Sequence, residues 1–202
     1  MFKKLGTVGA FLGLAALVGG LAVQPAHAQV RAARDLMTLQ AADVPAGYTE
    51  HTVPLRMRDA QGSINVFVDS TRTDAPWFIE SAVILDTQFL ASPSDTQDFV
   101  TGFSESFAES SKLTFNGWQE TAPAAVGERS RTYSFRYQAN EDAGIAGSDL
   151  ADGAGAMVVF ERGGHLAIIL VLTADGNAEA SARQYAGIAD GRMLASATAP
   201  RA

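Results

Sequence analysis

The sequence predicts an α+β fold in which a mainly antiparallel, twisted β-sheet packs with amphipathic helices. Segments with a two-residue hydrophobic period recur along the chain and are joined by short turns, which is how antiparallel strands connect. Segments with helical periodicity lie before, between and after them. The chain has no cysteine, so the core alone must hold the fold together.

The first 28 residues have the three parts of a secretory signal peptide. Lys3 and Lys4 form a basic start, residues 5–23 are apolar, and Ala26 and Ala28 are the small residues of a cleavage site. We expect cleavage after Ala28, which leaves a single domain in the periplasm or outside the cell. An uncleaved anchor is the alternative, because the apolar stretch is nearly long enough to span a bilayer.

The expected domain, residues 29–202, is acidic. The leader holds two of the 15 basic residues and none of the 22 acidic ones, so its removal changes the formal net charge from −7 to −9. Such a surface repels nucleic acid and anionic lipid. The absence of cysteine excludes a lipidated cysteine at the cleavage position. We therefore expect no nucleic-acid partner and no stable membrane anchor after cleavage.

The first predicted elements are a helix and an edge strand. Residues 31–44 carry apolar side chains at helical spacing, and Pro45 with Gly47 ends that helix. Residues 48–57 predict a strand, and Pro54 within it favours the edge of the sheet.

Two more strands follow. Residues 59–62 predict a turn, and the next apolar residues alternate as in a half-buried strand: Ile64, Val66 and Val68. Residues 71–76 predict another turn. Residues 77–89 are mostly apolar and predict a long strand.

A central helix is indicated by Ser92 as the N-cap and Pro93 at the first helical position. Three phenylalanines at spacings of four form an apolar stripe, which we expect to lie in the core: Phe99, Phe103 and Phe107.

The second half of the chain predicts strands around a loop. Residues 113–119 predict a strand, and aromatic residues then alternate with polar ones: Tyr133, Phe135 and Tyr137. This period indicates a buried sheet face. Base stacking is the alternative interpretation, and the negative charge argues against it. Residues 139–155 are acidic and rich in glycine and predict a flexible loop.

The last elements are a hairpin and a helix. Apolar runs at 156–160 and 166–172 flank Gly163 and Gly164, which is typical of a tight hairpin turn. Both runs are apolar on both faces, which places them at the sheet centre. A helix is predicted over 177–194, with a frayed tail at 196–202.

Three short stretches carry a resemblance to a known group. They are Val126-Gly127-Glu128, Val158-Val159-Phe160-Glu161-Arg162-Gly163 and Asp190-Gly191-Arg192-Met193-Leu194. In outline, the chain resembles bacterial exported lipoproteins and sensor domains with a Mog1/PsbP-like α/β sandwich. The resemblance implies a fold and an extracytoplasmic setting. It carries no catalytic residues to transfer, and this chain lacks the lipidation cysteine of many of those lipoproteins.

Motifs for nucleophilic catalysis and nucleotide binding fail on inspection. The segment 102–106 approaches a serine-hydrolase elbow but lacks the second glycine and falls in a predicted helix. Beyond the leader, His51 and His165 lie in separate elements without metal-ligand spacing. The segment 153–158 resembles a dinucleotide loop, but a strand follows where a helix should begin.

A calcium site is the remaining metal hypothesis. Four acidic residues lie in the glycine-rich loop, and hard cations take carboxylates from such loops: Glu141, Asp142, Asp149 and Asp152. Their spacing does not match a calcium-binding loop, so a solvated loop is the simpler interpretation. Trp77 and Trp118 could line a ligand pocket or belong to the core.

These observations favour an exported, non-catalytic binding or interaction domain with no catalytic residue and no cofactor. Its partner is an unidentified protein or small molecule. The alternatives are a carboxylate-dependent extracytoplasmic hydrolase and an envelope structural or stress protein.

Overall fold

The computed structural model of the protein describes residues 36–56, 61–84, 98, 100–102, 105 and 111–198. It contains a seven-stranded antiparallel sheet and a C-terminal helix, which is consistent with the predicted α+β class and confirms the mainly antiparallel sheet. The elements are β1 (Thr49–Arg56), β2 (Gln61–Val68), β3 (Pro76–Ile84), β4 (Leu113–Thr121), β5 (Arg129–Ala139), β6 (Asp152–Arg162), β7 (His165–Thr173) and α1 (Ala178–Thr198). The strand order across the sheet is β1-β2-β3-β7-β6-β5-β4.

Alternate residues of each strand divide the core into two faces, because successive side chains point to opposite sides of a sheet. We call one the aromatic face; it includes Phe78, Tyr133, Phe135, Tyr137 and Leu170. We call the other the helix face, because α1 packs on it; it includes Phe67, Ile79, Val158, Phe160 and Ile169. The predicted burial of the β5 aromatic residues is confirmed.

The hairpin of β6 and β7 lies at the centre of the sheet, as predicted. Arg162 pairs with His165, so Gly163 and Gly164 form a two-residue turn. Their φ values are 56° and 76°, and a turn of this kind needs a positive φ at both positions. β7 is the fourth of the seven strands.

The two edges of the sheet differ. β1 is an edge strand, as Pro54 predicts. β4 forms the other edge and carries an irregularity between Asn116 and Gln119, with Gly117 at a φ of 67°. A bulge of this kind increases the local twist of an exposed edge.

Two predictions about β2 are wrong. Gln61 and Gly62, predicted as part of a turn, are strand residues. The strand is also not half-buried, since residues 63–67 are buried on both faces. The segment before β1 explains part of this burial, because Asn65 donates a side-chain hydrogen bond to the Leu39 carbonyl at 2.8 Å.

The prediction of a helix over 31–44 is wrong in its described part. Residues 36–44 contain a single 3₁₀ turn, Ala41–Asp43. Leu39 is held by β2 and β3, since its N–H donates to the Ser81 hydroxyl at 3.0 Å. Three consecutive residues, Met37, Thr38 and Leu39, are buried. These long-range bonds outweigh the local helical spacing.

α1 packs on the sheet, but the prediction of several amphipathic helices is not supported. Much of its buried side is alanine, at Ala178, Ala182, Ala186 and Ala189, and small residues such as Gly187 and Gly191 lie on its exposed side. The two sides therefore differ little in hydropathy. α1 extends to Thr198, so residues 196–198 of the predicted frayed tail are helical.

The predicted loop 139–155 is shorter than expected, because β5 includes Ala139 and β6 begins at Asp152. The loop residues between them form successive turns with backbone hydrogen bonds, such as Ala143 N–H to Asn140 O and Ser148 N–H to Ile145 O. Leu150 is buried against the aromatic face. The glycines at 153 and 155 suggested a loop, but they are strand residues that aromatic rings cover.

Several predictions fall wholly or partly outside the described residues. These are the leader 1–28, the turn residues 59–60, the end of the strand at 85–89, Ser92 and Pro93, and the stripe Phe99, Phe103 and Phe107. Within that stretch, the described residues 98, 100–102, 105 and 111 are helical, and Val100 is buried in the aromatic-face cluster. Among the helical residues that are described, no helix is both long and apolar enough to cross a membrane.

Candidate functional site

An acidic side chain, Glu80, lies in the apolar interior of the aromatic face. It occupies the middle of β3, with Val66 of β2 and Leu170 of β7 directly beside it in the register. Phe78 and Ala82 are its neighbours on the same face of its own strand. All four are buried members of the aromatic-face cluster. The first ring of residues around Glu80 on this face is therefore apolar.

The carboxyl group of Glu80 is fully buried at 0% exposure. Neither of its oxygens has a hydrogen-bond partner within the part of the chain that the structure describes. Burial disfavours the charged form and raises the pKa of this carboxyl from 4.5 to about 8. Burial thus favours the neutral, protonated form of the Glu80 carboxyl.

The other buried acids have different surroundings. Glu161 pairs with Arg129 at 2.5 Å, and Asp190 receives two hydrogen bonds of 2.6 Å from Arg162. Hydrogen bonding to Arg162 lowers the pKa of Asp190 below its usual value. Each of these carboxylates has the partner that a buried charge needs. Glu80 is the exception among the buried acids that are described.

The position of β3 explains why this acid cannot reach water. β3 is the third of the seven strands, and all nine of its residues are buried. In an edge strand, an acidic residue can turn toward solvent, whereas in β3 both faces are covered. The flanking residues Ile79 and Ser81 point to the helix face by alternation, which leaves Glu80 on the aromatic face.

A buried polar contact lies in the same layer. The Trp77 indole N–H donates to the Tyr137 hydroxyl at 2.7 Å, and the Trp77 ring meets Phe78 edge-on at 5.8 Å between centroids. Burial raises the pKa of Tyr137 to about 12, partly offset by the Trp77 bond. The layer therefore presents aromatic rings and the Tyr137 hydroxyl together with the Glu80 carboxyl.

The β5 rings fit over the two glycines of β6. Tyr137 pairs with Gly153 and Phe135 with Gly155. A Cβ at Gly155 would meet the Phe135 ring, and one at Gly153 would meet Tyr137 and the Thr173 carbonyl. The rejected dinucleotide motif is thus explained by strand packing.

The three stretches that carry the family resemblance meet at one end of the sheet. The Gly163 N–H donates to Glu128 Oε1 at 3.0 Å, and the Glu128 N–H donates to the Glu161 carbonyl at 2.8 Å. Arg162 joins this end to Asp190 of α1. Arg162 and Asp190 are paired with each other and Glu128 accepts a backbone N–H, so these contacts join the hairpin to α1 and to the β4–β5 connection.

An open groove of about 600 Å³ lies at the β4–β5 connection. Its charged walls include Arg131, which pairs with Glu120 at 3.1 Å, and Arg129, which pairs with Glu161. The loop that connects β4 to β5 is held to α1 by Arg183, which donates to the Pro123 carbonyl at 3.1 Å. Both lining arginines are thus paired with acids, and the lining Glu128 accepts the Gly163 N–H.

The acidic residues named for calcium are not brought together. Glu141, Asp142 and Asp149 are exposed in the loop, and Asp152 begins β6. Over the described ranges, no group of three or more histidine, aspartate or glutamate side chains could hold a metal ion.

The remaining candidates have structural positions or lie outside the description. His51 is exposed, and His165 Nδ1 lies 3.1 Å from the Gly163 carbonyl in the hairpin turn. Trp77 is core, and Trp118 stacks on Phe135 at 4.1 Å. The residues of the serine motif at 103, 104 and 106 lie outside the described part.

Sequence reasoning missed Glu80 as a functional candidate. The available signal was a single acid in the run from Trp77 to Ile84 of a strand that is too long and too apolar to be an edge. What the sequence could not supply is the register that places Glu80 between Val66 and Leu170.

Comparisons with known proteins add little. No protein-family model matches the chain, and no curated protein is significantly similar to it. A solved structure of a Pseudomonas aeruginosa protein of unknown function, PA94, aligns with 75% of this chain and 99% of its own, at 16% identity and a TM-score of 0.28. A likeness at that TM-score carries no argument about fold or function.

Proposed function

We propose that this protein is an exported, non-catalytic binding domain whose ligand site is the aromatic face around Glu80. The observation that carries the proposal is the Glu80 carboxyl, fully buried in an apolar layer with no described partner for either oxygen. Buried polar groups in native proteins are almost always hydrogen-bonded, so an exception needs an explanation. A ligand that forms a hydrogen bond with the Glu80 carboxyl would explain this exception.

An unpartnered Glu80 carboxyl lowers the stability of the fold. An unsatisfied buried polar group costs about 1–3 kcal/mol, and more if it is charged. A leucine or methionine at position 80 would avoid that cost in a layer that is otherwise apolar. Proteins tolerate such local costs mainly where function requires them.

The hydrolase alternative has less support. A buried acid with a raised pKa is also typical of a general acid, but glycoside hydrolysis, for example, requires a second carboxyl within about 10 Å. In the described residues, the two other buried acids are engaged by Arg129 and Arg162. Glu80 alone fits binding better than two-carboxylate chemistry.

The fold and the setting belong to the same proposal. We propose a Mog1/PsbP-like sandwich, supported by the contacts that join the 126–128, 158–163 and 190–194 stretches. Export is supported by the three-part leader in the sequence. N-terminal sequencing of the protein from its producing cell should begin at Gln29. A product that retains Lys3 and Lys4 would contradict export with cleavage.

The binding site is tested with Nile red, a neutral apolar dye. We expect saturable binding of one dye per folded protein, with increased fluorescence. Ala82→Val adds bulk beside Glu80 and should weaken binding at least tenfold. The matched control is Ala167→Val, because Ala167 is equally buried but belongs to the helix face.

Ala82→Val and Ala167→Val should lower the free energy of unfolding by similar amounts, because both overpack the core. If the two variants are equally stable and only Ala82→Val binds the dye more weakly, the dye binds on the aromatic face. Absence of saturable binding to the folded wild-type protein, or equal loss in the two variants, would contradict the proposed site.

A further inference from the structure

Building on the proposed function, we propose that the ligand at Glu80 is a compact organic cation, an amine whose ammonium group pairs with the carboxylate while its hydrocarbon part lies on the apolar aromatic face. The proposal depends on charge complementarity: the site has a buried acceptor group and apolar walls, and it lacks a described cation.

The cations of the described chain are used elsewhere. Arginine side chains form ion pairs with other acids, in the pairs Arg72–Asp69, Arg129–Glu161, Arg131–Glu120, Arg162–Asp190, Arg183–Glu179 and Arg192–Asp43. Arg136 and Lys112 are exposed, and the side chain of Arg56 in β1 lies outside the described part. Within the described ranges, Glu80 is therefore left without a protein cation, although it is the most deeply buried acid.

Among ligand groups, an ammonium group offers the hydrogen-bond donors that suit the Glu80 carboxylate best. An ionised carboxylate only accepts hydrogen bonds, and a primary ammonium group only donates them, with three N–H groups. A neutral alcohol would satisfy one oxygen and leave a charge unbalanced. A carboxylate ligand would place two like charges together, which disfavours binding.

The aromatic rings add a second attraction for a cation. Phe78 is two residues from Glu80 on the same strand face, and its ring contacts the Trp77 ring edge-on. Ring faces attract organic cations through their quadrupole, most strongly where water is excluded. Val66 and Leu170 on either side of Glu80 supply apolar surface for the hydrocarbon part of the ligand.

The test uses two matched sets of probes: benzylamine, benzyl alcohol and benzoate, and hexylamine, hexanol and hexanoate. Affinities are measured by calorimetry for the wild-type protein, Glu80→Gln and the control Glu50→Gln. Glu50 is an acid of β1 whose Oε1 is also buried without a partner, and the strand register places it on the helix face opposite Phe67.

We expect each amine to bind at least tenfold more tightly than its alcohol and the carboxylates to bind most weakly. Glu80→Gln should lose at least tenfold in amine affinity, and Glu50→Gln should not. Amine affinity for the wild-type protein should rise severalfold between pH 6.5 and 8.5 as the carboxyl releases its proton. This last measurement needs no variant to fold.

The outcomes separate the two proposals. If alcohols bind as tightly as amines and Ala82→Val weakens the binding of both, the cation proposal fails and the binding site stands. If Glu80→Gln retains full amine affinity, the cation proposal also fails. If no probe of either set binds and Nile red does not bind either, the proposed function itself fails.

Discussion

Glu80 makes the stability of the protein depend on pH in the opposite direction from an ion-paired acid. Its pKa is raised from 4.5 to about 8 by burial, so between these values the folded state holds a proton that the unfolded state has released. The folded state then binds more protons, and the free energy of unfolding falls as pH rises. Below pH 4.5 both states are protonated and the dependence ends.

We predict a loss of up to about 1.4 kcal/mol of unfolding free energy per pH unit across the window from about pH 5 to 8. Urea unfolding at pH 5, 6, 7 and 8 measures it. Glu80→Gln cannot titrate and should flatten the slope, whereas Glu50→Gln should retain it. Equal slopes for the wild-type protein and Glu80→Gln would show that Glu80 is not the titrating group.

At the residue scale, the sequence predicts which positions are apolar better than it predicts which polar residues are buried. Tyr133, Phe135 and Tyr137 follow from their two-residue period because each contributes to a repeated pattern. Glu80 is a single departure from such a pattern. Its meaning depends on its neighbours in β2 and β7, which lie far away along the chain.

At the scale of elements, aromatic rings of β5 pack over glycines of β6, with Phe135 over Gly155 and Tyr137 over Gly153. We predict that Gly155→Ala lowers the free energy of unfolding by about 1–3 kcal/mol, because the new Cβ overlaps the buried Phe135 ring. The control is Gly187→Ala in α1, where a Cβ has no neighbour within 4 Å. That change should stabilise by roughly 0.5–1 kcal/mol, because glycine is unfavourable inside a helix. Equal effects at the two glycines would contradict this packing.

The ion pair between Arg162 of the central hairpin and Asp190 of α1, which we call the joint, gives a second prediction at this scale. Arg162 donates two hydrogen bonds of 2.6 Å to Asp190, whose side chain is 12% exposed. Arg162→Gln should cost roughly 1–3 kcal/mol, because a buried carboxylate loses its charged partner.

Arg131→Gln is the control for this joint, since its partner Glu120 is 49% exposed and such surface pairs contribute about 0.2–1 kcal/mol. The hydrogen bonds from Arg162 lower the pKa of Asp190. The stability that this ion pair contributes is therefore present above pH 4 and is lost as the pH falls further. A loss in Arg162→Gln no greater than in Arg131→Gln would contradict a structural role for the joint.

The elements differ in how well the sequence predicts them. The β6–β7 hairpin and its central position follow from local information, two glycines between apolar runs. The helix predicted over 31–44 is wrong because Ser81 and Asn65 hold Leu39 by side-chain hydrogen bonds. No local pattern contains those partners. The predicted end of the loop at residue 155 is wrong for a similar reason. Gly153 and Gly155 lie within β6, where the Tyr137 and Phe135 rings of β5 occupy the space that a side chain would need.

At the scale of the whole molecule, both faces of the sheet are mainly apolar, and among the described acids Glu80 has the lowest exposure. The sequence predicts the α+β class and much of the strand content, because periodicity and turn residues are local. It does not predict the site, because the site arises from the strand order β2-β3-β7. Under the proposed function, Glu80 is a group retained for binding at the expense of stability.

The most direct test is the unfolding free energy of Glu80→Met compared with the wild-type protein at pH 8 without added ligand. Methionine fills a similar volume and needs no hydrogen-bond partner. If Glu80 is an unsatisfied acid kept for a ligand, the variant should be more stable by about 1–3 kcal/mol. If the variant is instead less stable by a similar amount, the carboxyl has a partner that stabilises the fold, and the claim that Glu80 marks a binding site is wrong.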